Sequence, residues 1–500
     1  MTRASVAATA VLLTFLPFAA HPQQHAHPQG ERLGTVHFAT SCTPSVAAQF
    51  DRAVALLHSF EFGASIKAFN EVLAGDSTCA MAHWGIALSR WTNPMVPGTR
   101  AVALLQQGKQ AVDAAVRLGR SATERERAYI AAVGQLYDDF ERKDQRTRIL
   151  AYERAMSDLV AQEPGDTEAK IFYAISLTAS APPTDKTYAN QLKAASILEP
   201  LWAQQPNHPG LAHYIIHTYD YPPLAEKARE AATRYSRIAP SAAHAQHMPS
   251  HTFTRVGMWQ ESVDANRQSM TVALGDGSIA EALHAADYRM YAYLQLGKES
   301  DAKAILDTLP VLAARFDPTA ITGAAPASAG FFAMAAIPAR WALERSAWAE
   351  AAALEPKASA YPYTEAMTYF ARALGASRLG DAANAQMAID SLASTQARLS
   401  AKNEAYWAEQ VAIQQLAAQA WLDLAEKRED EALRRMREAA TREDATEKAA
   451  TTPGPLKPAR ELLGDMLLEL KRPAEATAEY RATLIKEPNR RHALRGAGAD

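Results

Sequence analysis

The chain has 500 residues, of which 48% are apolar and 21% charged, and a formal net charge of −3. This composition excludes a disordered chain, and the slightly acidic balance argues against nucleic acid or an anionic membrane surface as partner. Abundant Ala, Leu, Glu and Arg lean towards helix, and the length allows one to three compact domains or one elongated repeat array.

The first stretch, MTRASVAATAVLLTFLPFAA, has one arginine, an apolar run and then small residues, so residues 1–20 are expected to be a secretory signal with an uncertain cleavage point. A polar, flexible segment is expected over 21–39, holding His21, His25 and His27. No later segment has the 18 uninterrupted apolar residues of a membrane-spanning helix. The expected compartment is therefore periplasmic or secreted. The two cysteines, Cys42 and Cys79, then predict a disulfide, with two small buried thiols as the alternative.

From about residue 40 the pattern is helical throughout, with no strand-like alternation. IKAFNEVLAGDSTCAMAHWGIAL reads as the end of one helical unit and the start of the next. Pro164, Pro206 and Pro240 each close a helix, the last two 34 residues apart. Tight-turn signals recur in RVGMWQESV, QLGKESDAKAIL, RSAWAEAAAL, RLGDAANAQMAI and KREDEALRRM. SAPPTDKTY at 180–188 lengthens one unit, and the Gly/Pro/Ala-rich 316–330 is expected to be a loop or hinge between halves spanning 40–315 and 331–492, before a tail at 493–500.

The densest feature lies between these turns. Half of the 14 histidines fall in 208–284, and two His-x3-His pairs, His213/His217 and His247/His251, are offset by 34 residues.

In the tail, Gly464, Ala476, Tyr480 and Pro488 fall at positions 8, 20, 24 and 32 of a 34-residue unit, in a pattern similar to the tetratricopeptide repeat. With FDRAVALLHSFEF…CAMAHWGIALS and HPGLAHYIIHTYD…HAQHMPSHTF, nearly the whole chain resembles a group of exported bacterial tetratricopeptide proteins. The resemblance implies an all-α fold, a right-handed superhelical α-solenoid of antiparallel helix pairs, and no particular reaction. It also implies that the first helix of each unit lines a concave groove with positions 2, 5, 9 and 12. His213, His217 and Asp220 then face the groove from one unit, His244, His247 and His251 from the next, and His284 and Asp287 from the third.

Residues four apart share a helix face, and adjacent helices pack about 8 to 10 Å apart, so the two pairs should confront each other. Four nitrogen donors without thiolate point to a divalent transition metal, Zn or Cu first and Fe or Ni next, held by His213, His217, His247 and His251. Asp220, His244, His284 and Asp287 are expected to assist as a further ligand or a carboxylate steadying an imidazole. Pro249 interrupts this picture, because it should either delay the start of the His247/His251 helix or kink it.

The bland readings are a packing role for His58 and His83, a turn role for His208, and packing for the tryptophans. Arg255 and Asn266 flank the cluster as weak candidates for an anion. There is no nucleophile elbow, phosphate loop, dinucleotide fingerprint or His-Glu-x-x-His helix. Two functions follow: a metal-binding solenoid, an enzyme only if an open coordination position carries metal-bound water or dioxygen, with the substrate unnamed by the sequence, or a metal-free scaffold holding a peptide or protein in its groove.

Overall fold

The computed structural model describes residues 30–96 and 100–498. The expected signal segment and His21, His25 and His27 lie outside the described residues. The described residues from 32 onward form one compact unit.

Among the described residues every regular element is a helix. Antiparallel pairs follow one another along the chain: Ala47–His58 with Phe62–Gly75, Ala80–Trp91 with Val102–Leu118, Glu124–Gln135 with Gln145–Gln162, and Thr167–Ser180 with Ala189–Gln204. Pro209–Thr218 pairs with Arg229–Ile238, the broken helix Ala243–His247 and Pro249–Arg255 with Trp259–Gly275, and Ile279–Gln295 with Glu299–Arg315. The later pairs run from Ala327–Glu344 to Pro473–Lys486, and the short helix Arg491–Gly496 occupies part of the expected tail. Each helix packs mainly on its neighbours in sequence. This is an all-α solenoid, in which no pair buries its apolar face without the next.

Small residues set the close approaches. A Cβ on Gly464 would lie 2.8 Å from the Tyr480 ring, and Ala228, Ala302, Ala432 and Ala476 are fully buried. The turns between paired helices share a left-handed residue: Gly257, Gly297, Ser346, Gly380, Lys427 and Lys471. At Gly257 the requirement is strictest, since φ is 69° and a Cβ would meet the Pro488 carbonyl oxygen at 2.4 Å. Trp259 Nε1 donates to the Asn489 carbonyl 2.8 Å away, so the end of the solenoid packs against its middle.

Two expectations change here. Of the segment expected to be flexible, residues 32–39 are packed: Leu33, Val36 and Phe38 are buried, and Thr35 N–H donates to the Asn207 carbonyl. Three alternating apolar side chains give the strap enough burial to offset its ordering. The irregular stretch at the expected hinge is 316–326, and it crosses the groove inside the compact unit. Gly63 N–H donates to the Thr322 carbonyl at 2.7 Å and Ala325 N–H to Glu281 Oε2 at 2.8 Å. Cys42 and Cys79 are joined by a disulfide.

Candidate metal centre

Three consecutive units bring the histidines together. His208 caps the helix that carries His213 and His217, its Nδ1 accepting from Leu211 N–H, and Pro209 occupies the first turn, where its missing N–H costs nothing. The next first helix breaks at Met248, so His244 and His247 sit on its first segment and His251 on its second, which Pro249 begins. Met248 keeps helical φ and ψ, and proline therefore kinks the helix rather than delaying it. Ile279–Gln295 carries His284.

The rings form two groups of three, each with one nitrogen per ring and all three within 4.8 Å of one another: His213/His217/His244 and His247/His251/His284. The four residues linked by the 34-residue offset are thus divided between two triads rather than forming one. His244 and His284, expected only to assist, each complete a triad. The reason is geometric: three residues apart on one short segment, His244 lies against His213 and His217 while His247 lies against His251 and His284.

The hydrogen bonds set the tautomers. His213 Nδ1–H donates to the His58 carbonyl (2.6 Å), His244 Nδ1–H to Glu281 Oε1 (3.0 Å), His247 Nδ1–H to Asn266 Oδ1 (2.7 Å) and His251 Nδ1–H to Asp220 Oδ2 (2.8 Å). Each acceptor is a carbonyl, amide or carboxylate oxygen; Asn266 is oriented by its own Nδ2–H donating to the Ser262 carbonyl. With Nδ1–H committed, each of these four rings turns its Nε2 inward. Nε2 of His213, His217 and His244 has no hydrogen-bond partner among the described residues, although all three rings are buried. Nε2 of His247 and His251 face each other at 3.1 Å. Two lone pairs at that distance repel unless a cation lies between them. An ion about 2.0 to 2.1 Å from both would subtend about 100°, an ordinary coordination angle.

Burial also holds the rings neutral. It pushes His213, His217 and His247 well below the ordinary histidine range, helped by the neighbouring rings. His251 falls to about 4, with burial outweighing Asp220, and His284 to about 3 by the same cause against Glu281. A proton is thus a poor occupant of the gap between His247 and His251.

Around the rings lie charges that sequence position does not connect. Asp220 accepts from Arg255 Nε (2.8 Å) and Lys448 Nζ (3.0 Å) as well as from His251. Although burial opposes ionisation, Lys448 and Arg255 hold its carboxyl well below the usual range. Glu61 receives the His244 backbone N–H, and burial together with Glu281 raises it to about 8. Tyr288 stands against His247 and His251 with ring centroids 4.8 and 5.0 Å away, and its hydroxyl donates to the Thr452 carbonyl.

Of the two aspartates expected to assist, Asp220 accepts from His251 Nδ1–H. Asp287 does not: it is buried against Arg340 at 2.8 Å and touches no histidine of the cluster. The Arg340 guanidinium, contributed by the helix Ala327–Glu344, takes its carboxylate. Arg255 and Asn266, weighed as anion binders, are committed to Asp220 and His247. Glu281 was legible in principle, lying three residues before His284 on one helix face. Lys448 and Glu61 had no local signal.

A third group, His58, Glu168 and His208, also lies within ligand distance. Here both carboxylate oxygens are bonded, to His58 Nε2 and His208 Nε2 at 2.9 Å, while His58 Nδ1 meets the Tyr214 hydroxyl. With every nitrogen engaged, this is a structural clasp. His208 is more than the turn residue expected, and His83 is half-buried away from the cluster.

The groove above the triads is not open. Residues 324–326 and 450–451 close over a cavity of ≈ 10 Å³ lined by His217 and His244 of one triad and His251 and His284 of the other. Asn93, Val96 and residues 324–326 separate it from a chamber of ≈ 870 Å³, which Arg90, Arg100, Tyr361 and Trp407 help to line.

No family model and no curated protein matches the chain. Solved structures similar to it include yeast Tom70, at 12% identity and a TM-score of 0.37 over 91% of this chain and 94% of that one. The Cut9–Hcn1 hetero-tetramer of the APC/C is similar at 13% identity and a TM-score of 0.37, over 91% and 75%. The TPR domain of P58(IPK) is similar at 12% identity and 0.24, over 91% and 96%. These likenesses are too distant to identify the fold. The recurring helix pairs and the Gly464–Tyr480 contact are the firmer ground. The fold is of the tetratricopeptide type.

Proposed function

We propose that this solenoid is an exported metal-binding protein whose two histidine triads, His213/His217/His244 and His247/His251/His284, each hold a transition metal ion, Cu or Zn first. The observation that carries the reading is the inward Nε2 lone pair of rings whose Nδ1–H is already committed, above all the His247–His251 pair at 3.1 Å. An imidazole fixed through its other nitrogen by an oxygen acceptor is the usual arrangement around a protein-bound metal. The Cys42–Cys79 disulfide supports an oxidising compartment. Catalysis is the further step of this reading, with the 870 Å³ chamber as the place for a substrate.

The test is elemental analysis of the full chain purified without chelator, beside His213→Ala and His247→Ala. Two ions per chain are expected, and each variant should lose one. Less than about 0.2 ion per wild-type chain would sink the reading, since ions this deeply held should survive purification. A metal-free scaffold is the second reading, favoured by the chamber, whose size and aromatic wall suit a peptide side chain. In that case a peptide should bind equally with and without chelator.

A further inference from the structure

We infer that the two triads are halves of a single dinuclear copper centre that binds dioxygen between its two ions. The inference rests on the metal-binding reading above and adds the identity, coupling and ligand of the ions.

Proximity is the first ground. Rings of different triads approach within the range spanned by rings of the same one: centroids lie 5.9 Å apart for His217–His251 and for His244–His247, against 4.4 Å for His247–His284 and 6.4 Å for His251–His284. Two rings from each triad wall the same ≈ 10 Å³ cavity. Ions held by the two triads therefore face one shared space, with room for about one water-sized or diatomic ligand. Paired ions acting on a common ligand are typically about 3.5 to 4 Å apart.

Charge is the second ground. The imidazoles bring no negative charge, and Arg255 and Lys448, both on Asp220, balance in number the carboxylates of Asp220 and Glu281. Asp220 is spent on His251 Nδ1–H and the two cations, and Glu281 on His244 Nδ1–H and Ala325 N–H. Two divalent ions would put four uncompensated charges in a buried site, and two Cu(I) ions only two. Three neutral nitrogens accept copper or zinc alike, and the smaller charge favours monovalent copper. The oxidised pair then requires an anion between the ions, and dioxygen supplies it. Each Cu(I) gives up one electron and O₂ gains two, becoming peroxide bound to two Cu(II); no proton moves and no bond within the protein breaks.

The adjoining chamber offers the route in, past Asn93 and residues 324–326.

The experiment loads the full chain with Cu(I) without oxygen, counts copper, then adds air-saturated buffer while recording oxygen uptake, absorption and electron paramagnetic resonance. Expected are two copper ions per chain, one O₂ per two copper, an intense near-ultraviolet charge-transfer band, and almost no resonance signal because the two Cu(II) spins couple. His217→Gln and His284→Gln, checked by circular dichroism for intact helix, should each bind one copper that gives a full Cu(II) signal and takes up no O₂. Two copper ions with two full, independent signals would overturn the dinuclear centre and leave metal binding standing. So would two zinc ions retained against excess Cu(I). A chain that binds no metal would overturn both.

Discussion

The metal-free protein should lose stability steeply as pH falls below about 6.5. Burial lowers the pKa of His58, His213, His217, His247, His251 and His284. Between the folded and unfolded values the unfolded chain binds a proton that the folded one refuses, so stability rises with pH. Each ring contributes about 1.4 kcal/mol per pH unit in that window. For His251, falling from 6.5 to about 4, the whole window is worth about 3 kcal/mol. Two carboxyls act in the opposite sense: Glu61, raised to about 8, and Glu443, raised to about 7, keep a proton that the unfolded chain has lost. The raised Asp287 adds to them at the acid end. The lowered rings outnumber these carboxyls, so the net slope stays positive near pH 5.5. Urea unfolding of chelator-treated protein at pH 7.5, 6.5 and 5.5 measures it, and His251→Gln should flatten the slope by about 1.4 kcal/mol per unit. A midpoint that does not move between pH 7 and 5.5, with helix content retained, would refute the claim that these rings are buried and neutral.

Asp220→Asn should leave Arg255 and Lys448 without their shared carboxylate and cost about 3 to 5 kcal/mol in urea unfolding. The same change should weaken metal binding about 10- to 100-fold in competition titrations, because His251 loses its carboxylate. Reducing the Cys42–Cys79 disulfide, which spans 37 residues, should cost about 4 kcal/mol by releasing chain entropy in the unfolded state, as seen by comparing melts with and without reductant. Gly257→Ala should cost at least about 1 kcal/mol, since φ is 69° and the new methyl meets the Pro488 carbonyl; Gly380→Ala, at φ 76° in open space, should cost less.

Much of the site can be read from local sequence because a repeat converts spacing into position. The 34-residue offset between His213/His217 and His247/His251 places these rings on neighbouring helices, and His208-Pro209 announces where the first helix starts. Asp220 and His251, 31 residues apart, meet for the same reason. Pro249 is visible as a disturbance, but its consequence is not. Which neighbours His244 meets depends on packing against Glu61 and Glu281, contributed by two distant parts of the chain.

Helical periodicity, the repeat length and the residue types of the histidine cluster are properties of neighbouring residues, and the sequence by itself determined them. Only the tertiary structure decided that six rings divide into two triads, that Glu281 and Asp220 hold imidazoles while Asp287 is taken by Arg340, and that Lys448 reaches Asp220 from 228 residues away. It also decided that the groove is closed by 324–326 and 450–451. The physical reason is the superhelix. Nearest-neighbour packing carries each unit forward by the same small step, and the sum of those steps brings distant loops over the centre. No single window of sequence contains that sum.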